Sequence, residues 1–274
     1  MEAPKFIASD IDGTFLNPEH RVVSRNRDVV TRAVQSGAQF ALATGRPHRW
    51  IQPILEQIPL RPLCVTSNGA VVYDSDQDRI LRAVEMDAEA MGDIVNTVQE
   101  IMARHGEVSF AVERAGVSAN DPLDTLYVVD EIYAEQAPFE GFGVAPVHGV
   151  VGQPAVKLII RNPDMQSQEL FDLINPHVDP EVAHVTFSIP DGMLEVAAPG
   201  ITKEIGVEFL ASHYGVAQKD VIAFGDMPND IEMLQWAGVG VAMANADQAV
   251  KDAADMVTVS NAEAGVAHVL ERWF

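Results

Sequence analysis

The sequence predicts an α/β protein with a Rossmann-like parallel-sheet core and an inserted α+β domain. Over residues 5–66, three short apolar runs alternate with helical patterns, which is typical of parallel strands joined by crossover helices. Over residues 84–190, strand patterns are grouped together, which favours an antiparallel sheet. The alternation of strand and helix returns after that. We therefore predict a core of residues 1–83 and 191–274 around a separate domain of residues 84–190.

Each of the first three strands is predicted to end in a polar turn that contains glycine. The strands cover residues 5–10, 39–43 and 63–66, and the turns are Asp10-Ile11-Asp12-Gly13-Thr14, Thr44-Gly45-Arg46-Pro47 and Ser67-Asn68-Gly69-Ala70. A helix over residues 25–36, capped by Ser24, joins the first two strands. A second helix, with His48-Arg49-Trp50 in its first turn, leads to the third strand. Because the carboxyl ends of parallel strands share one edge of a sheet, we expect these turns to converge.

The rest of the chain is predicted to supply the insert and then a second run of alternating elements. Inside the insert, strands are predicted over residues 107–114, 125–129, 156–161 and 182–189, and helices over residues 87–104 and 166–175. The core is predicted to resume with strands over residues 193–197, 220–224, 239–243 and 256–259. A helix over residues 202–214 carries Lys203 in its first turn. The strand at 220–224 runs into Gly225-Asp226-Met227-Pro228-Asn229-Asp230, which adds acidic and amide side chains to the same edge.

The composition excludes several classes of function. Of the 274 residues 47% are hydrophobic, and 40 acidic residues against 18 basic ones give a net charge of −22. A large core is therefore available, whereas a basic nucleic-acid surface and attachment to an anionic membrane are not expected. Such a chain can bind a small anion only with a few local cations or a metal ion.

The single cysteine and the N-terminus bear on the expected location. Cys64 lies between two apolar residues and has no second cysteine to pair with, so we interpret it as a small core residue. A chain without a disulfide framework fits a reducing cytoplasm. The N-terminus lacks the layout of a signal peptide, and no apolar run approaches the ~18 residues of a membrane span. We expect a cytoplasmic monomer or homodimer whose partner is a small molecule.

Three carboxylates at predicted strand ends indicate a divalent cation. Asp10 and Asp12 lie two residues apart and would repel each other without a cation or proton between them. Asp226 lies at the end of another strand of the same sheet. Mg²⁺ suits one or two carboxylates together with a substrate phosphate and waters. The Thr44 hydroxyl, the Lys203 ammonium and backbone N–H groups at helix starts are the donors that a phosphoryl group needs.

Phosphoryl transfer would give each of these groups a task. One aspartate can attack phosphorus and form an aspartyl-phosphate. A carboxylate two residues further on can protonate the leaving oxygen and later deprotonate the attacking water. Taken singly, each residue also has an ordinary structural interpretation: Thr44 as a helix cap, Lys203 as a surface lysine, and Asp226 and Asp230 as turn or N-cap residues.

These motifs, in this order, resemble motifs I to IV of the haloacid dehalogenase superfamily. They are Asp10-Ile11-Asp12-Gly13-Thr14, Thr44-Gly45-Arg46, Lys203 and Gly225-Asp226-Met227-Pro228-Asn229-Asp230. Three further stretches resemble the Cof-like sugar-phosphatase branch with a type II cap: Ser67-Asn68-Gly69-Ala70, Val241-Ala242-Met243-Ala244-Asn245-Ala246, and Ser260-Asn261 to Gly265-Val266. The insert matches that branch by position and topology. Glu204 departs from it, because the branch often has glycine after the lysine.

The resemblance implies a role for each motif residue. Asp10 is implied to be the nucleophile and a metal ligand, Asp12 the acid/base that also gives its backbone carbonyl to the metal, and Asp226 the third protein contact of Mg²⁺. Thr44 and Lys203 are implied to bind phosphate. The other predicted site residues are Gly45, Arg46, Asn68 and Asn229 on the phosphate or substrate side, and Asp230 in a supporting role. Two alternatives remain: Arg46 either anchors substrate or pairs with the acidic surface, and Asn68 either contacts substrate or shapes its turn.

The resemblance also implies what the insert and the whole protein do. A type II cap over residues 84–190 would close over the active edge and select the substrate. Its candidate contacts are Arg114, Asp124, Tyr127, Lys157 and Arg161, and its candidate hinges are Ala83-Val84 and Asp191-Gly192. We predict a Mg²⁺-dependent phosphatase that hydrolyses small phosphomonoesters, sugar phosphates or related metabolites, through an aspartyl-phosphate. The alternatives are a phosphomutase with the same intermediate and a phospho-accepting regulatory protein.

Overall fold

The apolar strands assemble into two sheets, which belong to two separate units. The computed structural model describes residues 2–137 and 139–274. The first unit contains the chain up to Leu81 together with Thr202–Phe274, and the second contains Arg82–Ile201. The strands, in chain order, are β1 Phe6–Ser9, β2 Gln39–Ala43, β3 Leu63–Thr66, β4 Val71–Asp74, β5 Arg79–Ala83, β6 Ser109–Glu113, β7 Tyr127–Val129, β8 Gly143–Val144, β9 Lys157–Arg161, β10 His184–Thr186, β11 Met193–Ala197, β12 Val221–Gly225, β13 Val239–Ala242 and β14 Met256–Val257.

The helices differ widely in length. In chain order they are α1 Ser24–Gln35, α2 Gln52–Leu55, α3 Ala88–Met102, α4 Leu123–Leu126, α5 Glu131–Gln136, α6 Val147–Val150, α7 Ser167–Ile174, α8 Lys203–Tyr214, α9 Ile231–Trp236, α10 Gln248–Ala253 and α11 Gly265–Leu270. Across residues 2–137 and 139–274, none of them combines the length and the apolar character that a membrane crossing requires.

In the sheet of the first unit, successive strands are added in opposite directions on the two sides of its centre. Its strand order is β14-β13-β12-β1-β2-β3-β4-β5. The strands from β14 to β3 in that order run parallel, and β4 is antiparallel to β3. The chain proceeds outwards from β1 to β3 on one side and from β12 to β14 on the other. The boundary between β1 and β12 is therefore a topological switch point, where open α/β sheets bind their ligands.

The two central strands, β1 and β12, are fully buried. Every side chain of β1 and β12 is buried, as expected for parallel strands covered by helices on both faces. On one face, Phe6 and Ala8 of β1 share an apolar cluster with Val207 and Leu210 of α8 and Met233 of α9. This packing fixes the carboxyl ends of β1 and β12, and the start of α8, relative to one another.

The second unit is an α+β unit with a mainly antiparallel sheet, as predicted. Its strand order is β10-β11-β9-β6-β7-β8. All neighbours are antiparallel except β7 and β8. Asp87 caps helix α3, because its carboxylate accepts the N–H of Ala90 at 2.8 Å. Met91, Val95 and Val98 form its buried face, with the spacing of an amphipathic helix.

One strand lies in the other unit from the one we expected. The sequence places residues 193–197 in the core, but β11 pairs antiparallel with β9, with Leu194 opposite Ile160. The second unit therefore extends to Ile201 and not to residue 190. The apolar pattern identifies a buried strand correctly, but it carries no information on which sheet receives the strand.

Several local predictions are also corrected. Ser24 is the first residue of α1 and makes no capping hydrogen bond, because Val23 occupies the cap position. After Pro47 there is only a short helical turn, His48–Trp50, followed by the four-residue α2. Helix α5 was not predicted, although Asp130 caps it by accepting the N–H of Tyr133 at 2.7 Å. An aspartate before a short apolar stretch was the available signal.

Candidate active site

The turn after β1 brings the first aspartate to the switch point. The backbone N–H of Asp10 donates to the carbonyl of Phe224 on β12, at 2.9 Å. The chain then coils tightly through Ile11–Phe15, where Gly13 has a φ of +78°. A Cβ atom at Gly13 would lie 2.1 Å from Oδ2 of Asp226. Glycine is therefore required for the turns after β1 and β12 to approach each other.

Three buried carboxylates meet between these turns. One ligand-capable oxygen each from Asp10, Asp226 and Asp230 lies within 4.8 Å of the others. Lys203, the first residue of α8, donates from Nζ to Oδ1 of Asp10 and to Oδ1 of Asp230, both at 2.7 Å. The hydroxyl of Thr14 donates to Oδ1 of Asp226 at 2.7 Å. The structure thus brings together the predicted site residues Asp10 and Asp226, which lie more than 200 positions apart in the chain.

Asp230 is bound by donors on both carboxylate oxygens. Its Oδ1 atom accepts from Lys203, and its Oδ2 atom accepts the backbone N–H groups of Asp226 and Met227, each at 3.0 Å. The residue has no solvent exposure. Asp230 therefore fixes the ammonium of Lys203 and the turn after β12, and its oxygens are less available to a cation than those of Asp10 and Asp226.

Burial and mutual repulsion govern the ionisation of this cluster. Burial raises the pKa of Asp10 well above its ordinary value; Lys203 opposes this effect, whereas Asp230 and Asp226 add to it. Burial and the charge of Asp230 raise the pKa of Asp226 to about 7, against the hydrogen bond from Thr14. Burial alone would lower the pKa of Lys203, but the charges of Asp10 and Asp230 outweigh it and the pKa is raised. One lysine does not balance three carboxylates.

The donor set fits a small, hard divalent cation. Asp10 and Asp226 offer carboxylate oxygens, which Mg²⁺ prefers. A cation bound there, in addition to Lys203, would relieve the repulsion between carboxylates that helps to raise their pKa values. Of the predicted metal ligands, the structure brings the Asp10 and Asp226 side chains together. The third carboxylate beside them is Asp230, whereas the side chain of Asp12 binds elsewhere. The role that the resemblance implies for Asp12 at the metal, donation of its backbone carbonyl oxygen, stays a prediction.

Asp12 is paired with Arg46. Nε of Arg46 donates to Oδ2 of Asp12 at 2.7 Å, and Nη2 donates to Oδ1 at 2.5 Å. Nδ1 of His20 lies 3.9 Å from the same Oδ1 atom. The Asp12 side chain is 43% exposed. Of the two alternatives for Arg46, the structure shows pairing with an acidic residue, and that residue is the predicted acid/base.

Thr44 joins the ends of β2 and β3. Its N–H donates to the carbonyl of Val65 at 2.9 Å, and its carbonyl accepts the N–H of Asn68 at 3.0 Å. Its buried hydroxyl oxygen accepts the N–H of Arg46 at 3.0 Å. Gly45 lies half-buried between these two residues. Since the hydroxyl oxygen serves as an acceptor inside the protein, its proton can be donated to a ligand.

The turn after β3 has an unusual backbone conformation. Ser67, Asn68 and Gly69 have φ values of 50°, 54° and 99°. The left-handed region costs a non-glycine residue roughly 1–2 kcal/mol, and residues held this way cluster at functional sites. The result here is that Oδ1 of Asn68 accepts from Nδ2 of Asn229 at 2.9 Å. Two predicted substrate-side residues are thereby brought into contact.

Several polar atoms at this edge are buried without a protein partner. Among the described residues, they include Oγ of Ser67, Oγ1 of Thr202 and Oδ1 of Asn229. A buried polar atom that lacks a partner costs about 1–3 kcal/mol. Such atoms occur where water or a ligand completes the hydrogen bonding.

The sequence reasoning missed three supporting residues. Besides Thr14, these are Asn245, whose Nδ2 donates to the carbonyl of Gly13 at 2.9 Å, and Asn261, whose Nδ2 donates to the carbonyl of Leu16 at 2.8 Å. Oδ1 of Asn245 also accepts the N–H of Asn261 at 3.0 Å. Together they brace the turn after β1. Both asparagines lie in stretches that resemble the Cof-like branch, which was the available signal.

The candidate cap contacts all lie in the second unit, and their surroundings differ. Lys157 is buried and donates to Oε1 of Glu195 at 2.9 Å. The hydroxyl groups of Tyr127 and Tyr133 lie 2.7 Å apart, and the guanidinium of Arg161 lies 5.6 Å from the Tyr133 ring centre. The other two candidates are Arg114, which donates to the carbonyl of Thr125 at 3.0 Å, and the exposed Asp124.

Comparison with known proteins identifies the family. The sequence profile of haloacid dehalogenase-like hydrolases matches residues 7–270, a range that includes every site residue described above. The chain belongs to the haloacid dehalogenase-like hydrolase family. The resemblance inferred from the four motifs is therefore confirmed.

Relatives of this haloacid dehalogenase-like hydrolase align along nearly its whole length. The Bacillus subtilis (strain 168) 5-amino-6-(5-phospho-D-ribitylamino)uracil phosphatase YitU is 27% identical, with 99% of this chain and 98% of that protein covered. The HMP-PP phosphatase of Serratia proteamaculans (strain 568) is 29% identical, with 98% and 95% covered. The structure of the subclass IIB sugar phosphatase BT4131 gives a TM-score of 0.75 at 22% identity, with 98% of each chain covered. That likeness confirms the α/β fold.

Proposed function

We propose that this hydrolase is a Mg²⁺-dependent phosphatase of small phosphomonoesters, with Asp10 as the nucleophile. The observation that carries the proposal is the buried Asp10 carboxylate, bonded to Lys203 and adjacent to Asp226 at the topological switch point. This arrangement offers a nucleophile, a fixed cation and a second metal-binding carboxylate in one place. The relatives named above are phosphatases, which supports the same reaction class.

Phosphate binding is assigned to donors at the same edge. Lys203 and the Thr44 hydroxyl would hold phosphoryl oxygens, and the amide of Asn229, held by Asn68, would face the substrate. Charge-assisted donors of this kind favour a dianionic group. They supply the local cationic site that a chain with a net charge of −22 requires.

The first chemical step transfers the phosphoryl group to the protein. Lys203 holds Oδ1 of Asp10, and we assign the attack on phosphorus to Oδ2. The ester P–O bond breaks, and the leaving oxygen takes a proton from the carboxyl group of Asp12. The products are a free alcohol and an aspartyl-phosphate on Asp10.

The second step regenerates the enzyme. Water attacks phosphorus and gives its proton to the carboxylate of Asp12, and the bond between Asp10 and phosphorus breaks. Inorganic phosphate leaves. Asp10, Asp226 and the backbone carbonyl of Asp12 would hold Mg²⁺, which would supply electrostatic stabilisation of the phosphoryl oxygens.

The second unit is assigned to substrate selection. Residues 82–201 are inserted between Thr44 and Lys203 in the chain, which suits a cap that covers the site during the reaction. The substrates named for the relatives include a phosphorylated ribityl compound and, for one structural neighbour, sugar phosphates. We therefore assign sugar phosphates or related metabolites as the substrate class. We assign the cytoplasm as the location because a single cysteine, Cys64, permits no disulfide within the chain.

Phosphate release from a panel of metabolite phosphates and p-nitrophenyl phosphate, with Mg²⁺ present, tests the proposal. Asp10→Asn should lower turnover by at least about 1000-fold while its circular dichroism stays that of the wild type. The matched control is Asp93→Asn on the exposed side of α3, which should retain activity. Full activity in Asp10→Asn or in excess chelator would contradict the proposal. An isomerised sugar phosphate without free phosphate would replace it with a phosphomutase.

A further inference from the structure

The contact between the guanidinium of Arg46 and the carboxylate of Asp12 is bidentate. The guanidinium donates through Nε and Nη2 to the two separate oxygens of the Asp12 carboxylate, at 2.7 and 2.5 Å. A two-point contact of this kind fixes the plane of the carboxylate as well as its position. A lysine, which is a single point charge, does not reproduce it.

The backbone of Arg46 is itself fixed on both sides. Its N–H donates to Oγ1 of Thr44 at 3.0 Å, and its carbonyl accepts the N–H of Ser67 at 2.9 Å. The side chain therefore extends to Asp12 from an anchored base between β2 and β3. Through Thr44, the same residue is connected to the proposed phosphate site.

Asp12 needs such a partner because its surroundings do not immobilise it. The Asp12 side chain is 43% exposed and the Arg46 side chain 29%, whereas the residue of Asp10 is only 4% exposed. An exposed carboxylate has several accessible rotamers, and proton transfer requires a heavy-atom distance of about 2.6–3.2 Å to the substrate. Its exposed side remains accessible to a leaving oxygen or a water while the guanidinium holds the carboxylate.

We infer that Arg46 is a positioning residue that acts on the reaction through Asp12, and that it is not the substrate anchor suggested by the motif. This inference rests on the proposed phosphatase function. Misplacement of a catalytic group by about 1 Å can lower a rate about 100-fold. Loss of the guanidinium should therefore lower the rates of the steps that need Asp12 and leave the affinity for phosphate nearly unchanged.

A substrate with a good leaving group separates the two possible roles of Arg46. Dinitrophenyl phosphate expels a phenolate that needs no proton, so formation of the aspartyl-phosphate proceeds without help from Asp12, whereas its hydrolysis still requires Asp12 as a base. The initial burst of dinitrophenolate thus reports attack by Asp10. The following steady state reports the step assisted by Asp12.

The experiment compares the wild type, Arg46→Gln, Arg46→Lys and Asp12→Asn with Mg²⁺ present. For Arg46→Gln we expect a burst rate within about twofold of the wild type, a steady-state rate lowered about 10- to 100-fold, and an unchanged inhibition constant for inorganic phosphate. Arg46→Lys should recover little of the steady-state rate. The double variant Arg46→Gln with Asp12→Asn should match Asp12→Asn alone, because both changes act on one group.

Two results would overturn the inference. A burst that slows together with the steady state, or phosphate inhibition weakened by more than about tenfold, would show that Arg46 binds the phosphorylated ligand directly. Failure of the proposed function is distinguishable from either result, because it would appear in the wild type as the absence of both burst and turnover.

Discussion

At the scale of single residues, Lys203 is the cation on which the buried acidic cluster depends. It is 2% exposed and holds both Asp10 and Asp230. Removal of one member of a buried ion pair costs about 3–5 kcal/mol, because the remaining charge is left uncompensated. We expect Lys203→Met to lower the free energy of unfolding by about that amount in the presence of chelator, as measured by urea denaturation.

The control and the effect of the metal make this prediction specific. Lys219→Met removes a lysine whose side chain is 80% exposed, so stability should change by no more than about 0.5 kcal/mol. Mg²⁺ should restore part of the stability of Lys203→Met, because it replaces a positive charge among the same carboxylates. Equal stability of the two variants would contradict the assigned charge balance.

Residue types at the site could be predicted from the sequence, but their pairing could not. Asp10, Lys203 and Asp226 could be expected to meet, because parallel strand ends share an edge. The partner of Arg46 depends on the path of two tight turns, 34 positions apart in the chain. Cys64 is a simpler case, since an apolar strand environment predicts burial directly, and it is buried.

At the scale of elements, the start of α8 is fixed by the left-handed turn after β3. Gly69 has a φ of +99°, and a Cβ atom there would lie 2.0 Å from the carbonyl oxygen of Thr202. Gly37 has the same φ, but a Cβ atom there would meet nothing within 4 Å. Substitution of the two glycines therefore separates the free-energy cost of the backbone conformation from the cost of steric overlap with Thr202.

We expect Gly69→Ala to destabilise the protein by about 1–3 kcal/mol more than Gly37→Ala, because only the first adds steric overlap. Phosphatase turnover should fall in Gly69→Ala alone, since the displaced Thr202 precedes Lys203 in the chain. Thermal unfolding and initial-rate measurements on both variants provide the check. Similar losses in the two variants would show that the contact with Thr202 does not position α8.

Elements were predictable where local chemistry alone defines them. Gly215 ends α8 in a left-handed conformation with a φ of 66°, as the sequence suggests. The strand over residues 193–197 was correctly recognised, but its partner is β9, and partners are set by tertiary packing. The strand predicted over residues 182–189 covers only His184–Thr186 in the structure. The reason is the same, because pairing with a neighbouring strand, and not propensity, sets the length of a strand.

At the scale of the whole molecule, the acidic cluster couples folding to pH. The pKa of Asp226 is raised from 3.8 to about 7 by burial and by Asp230. Between those values the folded state binds more protons than the unfolded state, so stability falls as pH rises. One such group contributes at most about 1.4 kcal/mol per pH unit. The full destabilisation of the folded state by ionised Asp226 is present above about pH 7 and absent below about pH 4.

We expect the free energy of unfolding to fall less steeply with rising pH in Asp226→Asn than in the wild type. Both proteins are unfolded by urea in the presence of chelator between pH 4 and pH 8. Mg²⁺ should stabilise the wild type more at pH 8 than at pH 5, because binding requires the deprotonated carboxylate, and it should have little effect on the variant. An identical pH slope in both proteins would contradict the assignment of the raised pKa to Asp226.

The overall architecture was predictable because strand and helix alternation specifies a parallel sheet with right-handed crossovers. The return of that alternation after the insert predicted that both ends of the chain build one core, and β1 pairs with β12 in register from Phe6 to Ser9. The limit of the second unit was not predictable, because the chain re-enters the core only after β11 has completed the other sheet.

The position of β1 between β2 and β12 also has a consequence during protein synthesis. At about 5–20 residues per second, the ribosome adds β12 on the order of ten to forty seconds after β1. Until then one side of β1 has no hydrogen-bonding neighbour, and a bare strand edge is a template for wrong pairing. A nascent chain therefore contains Asp10 long before it contains Asp226 and Lys203. A chain released before β12 is made would therefore expose that edge of β1, and it would lack Asp226, which is proposed for the active site.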